Sequence, residues 1–373
     1  MKKILTIFGT RPEAIKMAPV IAELRKSEAL DVGVCVTAQH RQMLDQVLDL
    51  FEIEPDHDLD IMQPNQTLDQ LTARVLTGIG AVLDKVRPDM VLVHGDTTTT
   101  LAASLAAFYR KLAVGHVEAG LRSGSLSAPW PEEMNRRVTT LATRHHFAPT
   151  QKSRQNLLDE GVQPHAIHVT GNTVIDALFE TVSRLHASPG RQEELSRRFS
   201  FLDPERRLIL VTGHRRENFG SGFEEICHGL LDIAERHEVQ IVYPVHPNPS
   251  VREPVERLLK GASSIRLIDP LDYEPFVFLM EKSHLIITDS GGVQEEAPSL
   301  GKPILVMRET TERPEAVEAG AVILVGTSRN RIAGEADRLL TDAAHYQRMA
   351  QAINPYGDGK AAARIRAIIE AQA

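Results

Sequence analysis

The feature that most constrains the fold is an alternation of short apolar runs with longer segments of helical periodicity. In the first half the apolar runs lie at residues 3–8, 32–37, 90–94, 112–117 and 145–148. In the second half they lie at residues 207–212, 240–244, 265–268, 284–288, 303–306 and 321–325. This pattern is typical of parallel strands joined by helices that cover both faces of a sheet. Because no repeat of about 20 to 50 residues is visible, we predict an α/β fold with two Rossmann-like, doubly wound domains.

The length of the chain fits two domains. Its 373 residues are enough for each domain to bury its own core. A boundary is predicted near residue 170, which gives an N-terminal domain of residues 1–170 and a C-terminal domain of residues 171–355. The sequence NPYGDG at residues 354–359 interrupts the last helical segments, so the final helix is free to turn and pack elsewhere.

Charge and apolar content exclude two classes of partner. A formal net charge of -8 argues against sequence-independent nucleic-acid binding, which relies on many Lys and Arg side chains. No stretch approaches the roughly 20 consecutive apolar residues of a membrane helix, and the apolar run after Lys3 is too short for a secretory signal. Cys35 and Cys227 lie in apolar contexts without metal-like spacing, as expected in a reducing compartment. We therefore predict a cytoplasmic protein that binds neither nucleic acid nor membrane.

A phosphate site is predicted directly after the apolar run that ends at Thr288. A strand that ends in Ser290-Gly291-Gly292 and turns into a helix leaves backbone N–H groups free to bind an anion. Glu296 follows one or two helical turns later, where its carboxylate can reach the ribose hydroxyls of a bound nucleotide. The alternative is a glycine-rich strand-to-helix turn of the kind that many α/β domains contain.

Further candidates for ligand binding follow other strands. Arg11 and Lys16 lie where the first strand leads into the first helix, at the sheet edge where open α/β sheets bind ligands. Both are candidates for a diphosphate contact, and a solvated helix start is the alternative. Arg313 is predicted to face the phosphate site, and Leu271 and Phe276 could enclose a base, although apolar core is the simpler interpretation of Phe276.

Three carboxylates and one histidine are candidates for proton transfer. Asp96, Glu118 and Glu132 lie in consecutive loops at the same predicted sheet edge, where they could bind a metal or act as acids and bases. The Arg and His residues between them favour acid/base chemistry, so we predict no metal. His214 follows the first strand of the second half, and imidazole titrates near neutral pH. Each group considered alone could instead cap a helix or form a salt bridge.

A family resemblance extends over most of the chain, from Ile4 to the NPYGDG turn. The sequence resembles the non-hydrolysing bacterial UDP-N-acetylglucosamine 2-epimerases in seven blocks, which occur in the order of that family. The blocks are GTRPEAIKMAP, VHGDTTTT, GHVEAGLRSG, PWPEEMNRR, GHRRENFG, YPVHPNP and TDSGGVQEEAPSLGKPILVMRETTERPEA. The resemblance implies a B-type glycosyltransferase-like fold with UDP in a cleft between the domains. It also implies that the helix of residues 356–373 packs back on the first domain.

The reaction that the resemblance implies interconverts UDP-GlcNAc and UDP-ManNAc without a nicotinamide cofactor. UDP is eliminated to give 2-acetamidoglucal and is then added back. Asp96, Glu118, Glu132 and His214 would be the catalytic groups, because epimerisation needs groups on both faces of the sugar. By the same resemblance, Arg136 would position the sugar or an acid, and ManNAc units would supply surface polysaccharides.

The resemblance also implies features outside the reaction itself. Some relatives are activated by a second UDP-GlcNAc, for which the matching residues here are Gln39, His40, Gln42 and His246. Residues 63–66 read QPNQ where some regulated members carry a basic residue, so an unregulated helix start at residue 39 is the alternative. The family is typically dimeric, which predicts a homodimer.

Three other functions remain compatible with the sequence. A B-type glycosyltransferase would share the nucleotide site and transfer the sugar to an acceptor. A hydrolysing epimerase would release free ManNAc, and a nucleotide-sugar sensor would bind without catalysis. The three acids and His214 favour an epimerase over a glycosyltransferase or a sensor, whereas the choice between a hydrolysing and a non-hydrolysing epimerase depends on whether water reaches the intermediate.

Overall fold

The computed structural model describes residues 1–38, 41–63 and 66–372. The chain forms two compact units, the first comprising Met1–Phe179 and Tyr356–Ala373 and the second comprising Glu180–Pro355. Among the described helices, none combines the length and apolar character needed to cross a membrane. Gln39, His40 and residues 64–65 of the QPNQ segment lie outside the described residues.

The first unit alternates strands with helices along the chain. Its strands are β1 (Lys2–Phe8), β2 (Leu30–Val36), β3 (His57–Asp58), β4 (Met90–His94), β5 (Ala113–Val117), β6 (His145–Ala148) and β7 (Ile167–Val169). Its helices are α1 (Arg11–Leu24), α2 (Arg41–Leu50), α3 (Leu68–Val86), α4 (Thr98–Tyr109), α5 (Glu132–Ala142), α6 (Gln151–Asp159) and α7 (Thr173–Ala187), of which α7 continues into the second unit.

The described strands of the first unit form a parallel sheet in the order β3-β2-β1-β4-β5-β6-β7. The order reverses between β1 and β4, where Ile4 pairs with Met90. Ligands of open α/β sheets bind outside the carboxyl ends of the strands at such a reversal. The turns that follow β1, β4 and β5 therefore form the natural place for a site in this unit.

The core of the first unit joins this sheet to α3 and α4. Leu5 and Val91 on the sheet are fully buried with Ile79 of α3 and Ala102 and Ala106 of α4. The small alanine side chains allow α4, which begins at Thr98 shortly after β4, to pack closely on its neighbours.

The second unit repeats the same architecture. Its strands are β8 (Arg207–Thr212), β9 (Val239–Pro244), β10 (Ile265–Ile268), β11 (Leu285–Thr288), β12 (Ile304–Val306) and β13 (Val322–Leu324). Its helices are α8 (Pro189–Arg198), α9 (Ser221–Arg236), α10 (Pro249–Leu259), α11 (Tyr273–Lys282), α12 (Gly291–Glu296), α13 (Pro314–Glu318), α14 (Arg329–Thr341) and α15 (Ala343–Ala350). The strands are parallel in the order β10-β9-β8-β11-β12-β13, so the order reverses between β8 and β11.

The division between the units falls within α7. The sequence predicted a boundary near residue 170, but α7 begins at Thr173 and the division follows Phe179. Strands β3 and β7 were not predicted, because two- and three-residue strands at the sheet edges carry too little apolar pattern to be recognised.

The last helix, α16 (Ala361–Glu370), packs on α1 in the first unit. The backbone N–H of Asn172 donates to the carbonyl of Tyr356 at 2.7 Å. The Asp176 carboxylate of α7 accepts from the N–H groups of Ala361 and Ala362 at 3.2 and 2.9 Å. Asp176 therefore satisfies two of the N–H groups that a helix leaves without an intrahelical acceptor at its start.

Candidate functional site

The turn between β1 and α1 is organised by the carboxylate of Glu13. Its Oε2 accepts from the N–H of Gly9 at 2.9 Å and from the N–H of Thr10 at 2.8 Å. Its Oε1 accepts from the hydroxyl of Thr97 at 2.6 Å and from that of Thr100 at 3.2 Å, both at the start of α4. Burial raises the pKa of Glu13 despite these hydrogen bonds. One buried carboxylate thus joins the turn that carries Arg11 to the turn that carries Asp96.

Glu118 directly follows β5 and is held by groups from two other elements. Its Oε2 forms an ion pair with Lys16 of α1 and accepts from the side-chain amide of Asn172 at 2.9 Å. His94 Nε2 lies 3.9 Å from the same oxygen. The backbone of Glu118 has a φ of +63°, a left-handed conformation that is uncommon for residues other than glycine. The backbone conformation and the contacts together fix the direction of this carboxylate.

Asp96 follows β4 and pairs with Arg136 of α5. Arg136 Nη2 lies 2.6 Å from Asp96 Oδ2, and Nε donates to the same oxygen at 2.9 Å. Glu133, which is fully buried, accepts a hydrogen bond from Nη1 of the same guanidinium at 3.1 Å. Burial disfavours the charged guanidinium, but Asp96 and Glu133 outweigh it and raise the pKa of Arg136. Arg136 therefore stays cationic beside Asp96.

The backbone around Asp96 is fixed by two further side chains. Asn135 donates its amide to the carbonyl of Asp96 at 2.8 Å. The Nε2 of His116 donates to the carbonyl of Gly95 at 2.7 Å. Burial lowers the pKa of His116 to about 3, so this imidazole is neutral at physiological pH and serves as a hydrogen-bond donor.

Glu132 stands at the start of α5 and differs from the other two candidate acids. Its Oε2 is buried and has no hydrogen-bond partner among the described residues. An acidic residue in the first turn is favoured by the positive end of the helix dipole. This carboxylate therefore keeps an acceptor position that a ligand group could satisfy.

In the second unit, His214 follows β8 and its imidazole is 43% exposed. Its ring stacks on that of His246, which follows β9, with centroids 5.5 Å apart and planes 20° from parallel. Partial burial lowers the pKa of His214, Asp289 acts against this shift, and Arg215 and His246 add to it. The structure thus brings together the candidate for proton transfer and one candidate for a second ligand site.

The predicted phosphate site begins where β11 leads into α12. The N–H of Ser290 donates to Thr288 Oγ1 at 2.9 Å. Gly291 and Gly292 begin α12, where backbone N–H groups have no acceptor within the helix. Arg313 packs against Gly291 so closely that a Cβ there would lie 2.6 Å from the guanidinium carbon. The guanidinium is oriented by Glu295, whose Oε1 accepts from Arg313 Nε at 2.7 Å. A cation therefore adjoins N–H groups of the first helical turn, as anion binding requires.

Glu296 lies at the end of α12, where it is 6% exposed. Tyr273 at the start of α11 donates its hydroxyl to Glu296 Oε1 at 2.5 Å. Leu271 and Phe276 belong to this same α11 region, and both are partly buried. The side chains predicted for the ribose and the base thus lie on α12, on α11 and, for Leu271, two residues before α11.

Of the residues predicted to bind a second ligand, only Gln42 and His246 lie among the described residues. Gln42 lies exposed near the start of α2, beside Arg41, which pairs with Asp45 and Asp58. Gln39 and His40 fall outside the described residues, so their assignment stays a prediction. Within the described ranges, no group of three or more His, Cys, Asp or Glu side chains is arranged to hold a metal ion.

Five residues that organise these sites were not predicted as functional: Glu13, Asn172, Glu133, Tyr273 and Asp289. Only Glu13 carries a sequence signal, since Thr10 and Glu13 have the spacing of a capping box. Asn172, Tyr273 and Asp289 act through contacts between residues that are distant in the sequence, which no local pattern reveals. Glu133 pairs with Arg136 and Arg137 of its own helix, but the sequence does not show that it is buried.

Known proteins resemble this chain along almost its whole length. The family model described as UDP-N-acetylglucosamine 2-epimerase matches residues 22–370. A UDP-N-acetylglucosamine 2-epimerase of Yersinia pestis is 62% identical over 364 residues, covering 97% of each chain.

Two solved structures extend the comparison. The UDP-GlcNAc 2-epimerase of Neisseria meningitidis, determined bound to UDP-GlcNAc, is 52% identical with a TM-score of 0.92, covering 98% of this chain and 99% of its own. The enzyme of Methanocaldococcus jannaschii, in complex with UDP-GlcNAc and UDP, is 34% identical with a TM-score of 0.82 at the same coverage. The predicted α/β fold of the B-type glycosyltransferase kind is confirmed by these likenesses. The chain belongs to the UDP-N-acetylglucosamine 2-epimerase family.

Proposed function

We propose that the protein catalyses the reversible epimerisation of UDP-GlcNAc to UDP-ManNAc at C2 of the sugar, without hydrolysis. The observation that carries the proposal is the pairing of two carboxylates with cations after neighbouring strands, Glu118 with Lys16 and Asp96 with Arg136. Proton transfer at carbon needs a base whose position is fixed, and both carboxylates are fixed by several contacts.

The chemistry follows from the weak acidity of the proton on C2. Because C2 is not next to a carbonyl, its C–H bond is broken together with the C1–O bond to UDP. The electron pair of the C–H bond forms the C1–C2 double bond of 2-acetamidoglucal, the proton passes to a base, and UDP leaves with the C1–O electrons. Re-addition of UDP to C1, with a proton delivered to the other face of C2, gives the epimer.

UDP is assigned to the second unit. The first-turn amides of Gly291 and Gly292 bind a phosphate, together with Ser290 and Arg313, and Arg11 and Lys16 of the first unit add positive charge. Stabilising the departing diphosphate lowers the barrier most, since charge develops there in the transition state. Glu296, held by Tyr273, binds the ribose hydroxyls, and Leu271 and Phe276 contact the base.

The proton chemistry is assigned to Asp96, Glu118, Glu132 and His214. Two groups are needed at C2, because the proton leaves one face and returns to the other. Arg136 positions Asp96 and the sugar, which is supported by the contact of two guanidinium nitrogens with Asp96 Oδ2. Glu132 has a buried carboxylate oxygen that accepts no hydrogen bond from the described residues. This oxygen is therefore available to accept a proton from the substrate.

Regulation and assembly form a second part of the proposal. A second UDP-GlcNAc would contact Gln39, His40, Gln42 and His246, and the stacking of His246 on His214 offers a route from that ligand to the catalytic group. A homodimer is supported by the exposed apolar side chains of the packed helices α4 and α5, namely Phe108, Tyr109 and Leu141. The cytoplasmic location and the supply of ManNAc units to surface polysaccharides rest on the sequence and the family.

The test is an NMR time course of UDP-GlcNAc with the protein in D2O, with neither metal nor NAD added. The proposal expects deuterium at C2 and the appearance of UDP-ManNAc. Free ManNAc with released UDP would instead identify a hydrolysing enzyme, and the absence of C2 exchange would reject epimerisation. Asp96→Asn and Glu118→Gln should lower turnover far more than UDP affinity, because both residues are assigned to the sugar and not to the nucleotide.

A further inference from the structure

Asp289 lies between the turn that carries His214 and the predicted phosphate site of the second unit. Strands β8 and β11 are neighbours, and Thr212 pairs with Thr288 at their carboxyl ends. Asp289 follows Thr288 and therefore lies beside the turn that carries His214. On its other side it directly precedes Ser290, where the phosphate site begins. Its side chain is fully buried.

The two carboxylate oxygens of Asp289 have different surroundings. Oδ2 accepts from the backbone N–H groups of His214 and Arg215, both at 2.8 Å, and from the side-chain amide of Asn218 at 3.3 Å. Oδ1 is buried and receives no hydrogen bond from the described residues. It lies 3.4 Å from Nδ1 of His214.

This geometry selects one form of the His214 ring. A buried carboxylate oxygen without a donor costs free energy, and an Nδ1–H of His214, 3.4 Å away, can supply that donor. A small movement of the exposed ring would complete that hydrogen bond. The tautomer with its hydrogen on Nδ1 leaves Nε2 without a hydrogen, so Nε2 is able to accept a proton from a ligand.

We propose that Asp289 is a positioning residue that holds His214 in the Nδ1–H tautomer and directs Nε2 toward the reacting groups. The role rests on the proposed function of His214 in proton transfer. A buried aspartate that orients a catalytic imidazole is a known device in hydrolases, where its loss leaves the ring in the wrong tautomer. Here the same residue also fixes the backbone of the turn through Oδ2.

The charged and titratable groups that face His214 are Asp289, Arg215 and His246. Of these, only Asp289 raises the pKa of His214, so its neutralisation should lower that pKa further. In a variant with a neutral residue at position 289, His214 is neutral over a wider pH range. Its tautomer then determines whether Nε2 can accept a proton.

The decisive measurement is the tautomer of His214 by ¹⁵N–¹H NMR of the imidazole in the protein without ligand, with His214→Gln used for assignment. In the wild-type protein we expect Nδ1–H. In Asp289→Asn, the amide oxygen can replace Oδ2 while the NH2 group faces Nδ1, which should produce Nε2–H. A wild-type ring with its hydrogen on Nε2 would overturn the proposal, whether or not the variant folds.

Activity supplies the second readout. Asp289→Asn should lower kcat by about 100-fold with little change in KM, and the pKa that governs the pH–rate profile should move down. Asp232→Asn is the matched control, since Asp232 is another buried aspartate of this unit but pairs with Arg329 at 2.6 Å. It should change neither the tautomer nor kcat. An unchanged kcat in Asp289→Asn would also count against the role.

The two proposals fail separately. If the wild-type protein shows the Nδ1–H tautomer but does not exchange the C2 proton, the function is wrong and the orientation by Asp289 stands. If the protein epimerises UDP-GlcNAc with His214 in the Nε2–H form, the function stands and the role of Asp289 is wrong.

Discussion

The side-chain NH2 of Asn172 donates to Glu118 at 2.9 Å, and the side-chain oxygen of Asn172 accepts from the N–H of Val174 at 3.1 Å. One buried side chain therefore begins α7 and orients a candidate catalytic carboxylate. The oxygen of Glu118 that it contacts also faces Lys16, so the carboxylate is held by a neutral donor and a cation together. Loss of the neutral donor can be separated from loss of the helix start.

The substitution Asn172→Asp makes that separation. Aspartate keeps an acceptor for Val174 but replaces the donor by a second negative charge beside Glu118. Because like charges repel and a charge-assisted hydrogen bond is lost, we expect kcat to fall about tenfold or more, with KM for UDP-GlcNAc changing less. Steady-state kinetics and a thermal melt would check this. A variant that loses stability but keeps its kcat would show that Asn172 serves only the helix.

The phosphate site should depend on the absence of a side chain at residue 291. In Gly291→Ala the new Cβ would meet the Arg313 guanidinium at 2.6 Å, so the cation must move away from the first-turn amides. We expect UDP affinity, measured by calorimetry, to fall at least tenfold. Gly334→Ala is the matched control, because Gly334 lies inside α14 with open space around it. It should leave UDP affinity unchanged and stabilise the protein by about 0.5–1 kcal/mol.

The carboxylate of Glu13 should be replaceable by an amide but not by a methyl group. Glu13→Gln retains an oxygen for the N–H groups of Gly9 and Thr10 and presents its NH2 to the hydroxyls of Thr97 and Thr100, which can rotate and accept. Glu13→Ala leaves two backbone donors without an acceptor, at a cost of about 1–3 kcal/mol each. Urea unfolding should rank the variants accordingly. Equal stability of the two variants would contradict the role of Glu13 as the link between the turns.

The positions of the candidate site residues in the fold could be predicted from the sequence, but the contacts that hold each of them could not. Asp96, Glu118 and His214 were predictable because residues that directly follow parallel strands must lie at one edge of the sheet. The contact of Arg313 with Gly291 also agrees with the direction predicted for Arg313. In these cases the topology alone determines the position.

The supporting residues depend on contacts that no local pattern encodes. Asp289 meets His214 only because β8 and β11 are neighbours in the sheet. Tyr273 meets Glu296 because the start of α11 lies beside the end of α12, and an aromatic residue near Leu271 gives no sign of this. Glu133 is the buried neighbour of Glu132 in a run of two acids, and the sequence does not tell which one faces inward.

The last prediction concerns the pH dependence of stability and the anchoring of α16. Burial raises the pKa of Asp176 from 3.8 to about 6, although Ala362 and Ala361 donate to it. The unfolded chain therefore loses this proton at lower pH than the folded protein does. The stabilisation from this group is fully present below pH 3.8 and is lost as the pH rises through about 6.

Comparison of the wild type with Asp176→Asn at pH values from 4 to 7 isolates this contribution. As the pH rises, the free energy of unfolding of the wild type should fall relative to the variant, by on the order of 2 kcal/mol. Asp358→Asn is the control with the opposite sign, because the hydrogen bond from Arg364 lowers the pKa of Asp358. There the wild type should lose stability relative to the variant only as the pH falls below 3.8, so this difference should stay nearly flat between pH 4 and 7. Urea unfolding at each pH measures both differences, and a flat difference for Asp176→Asn would mean that α16 is not anchored by a buried, proton-binding carboxyl group.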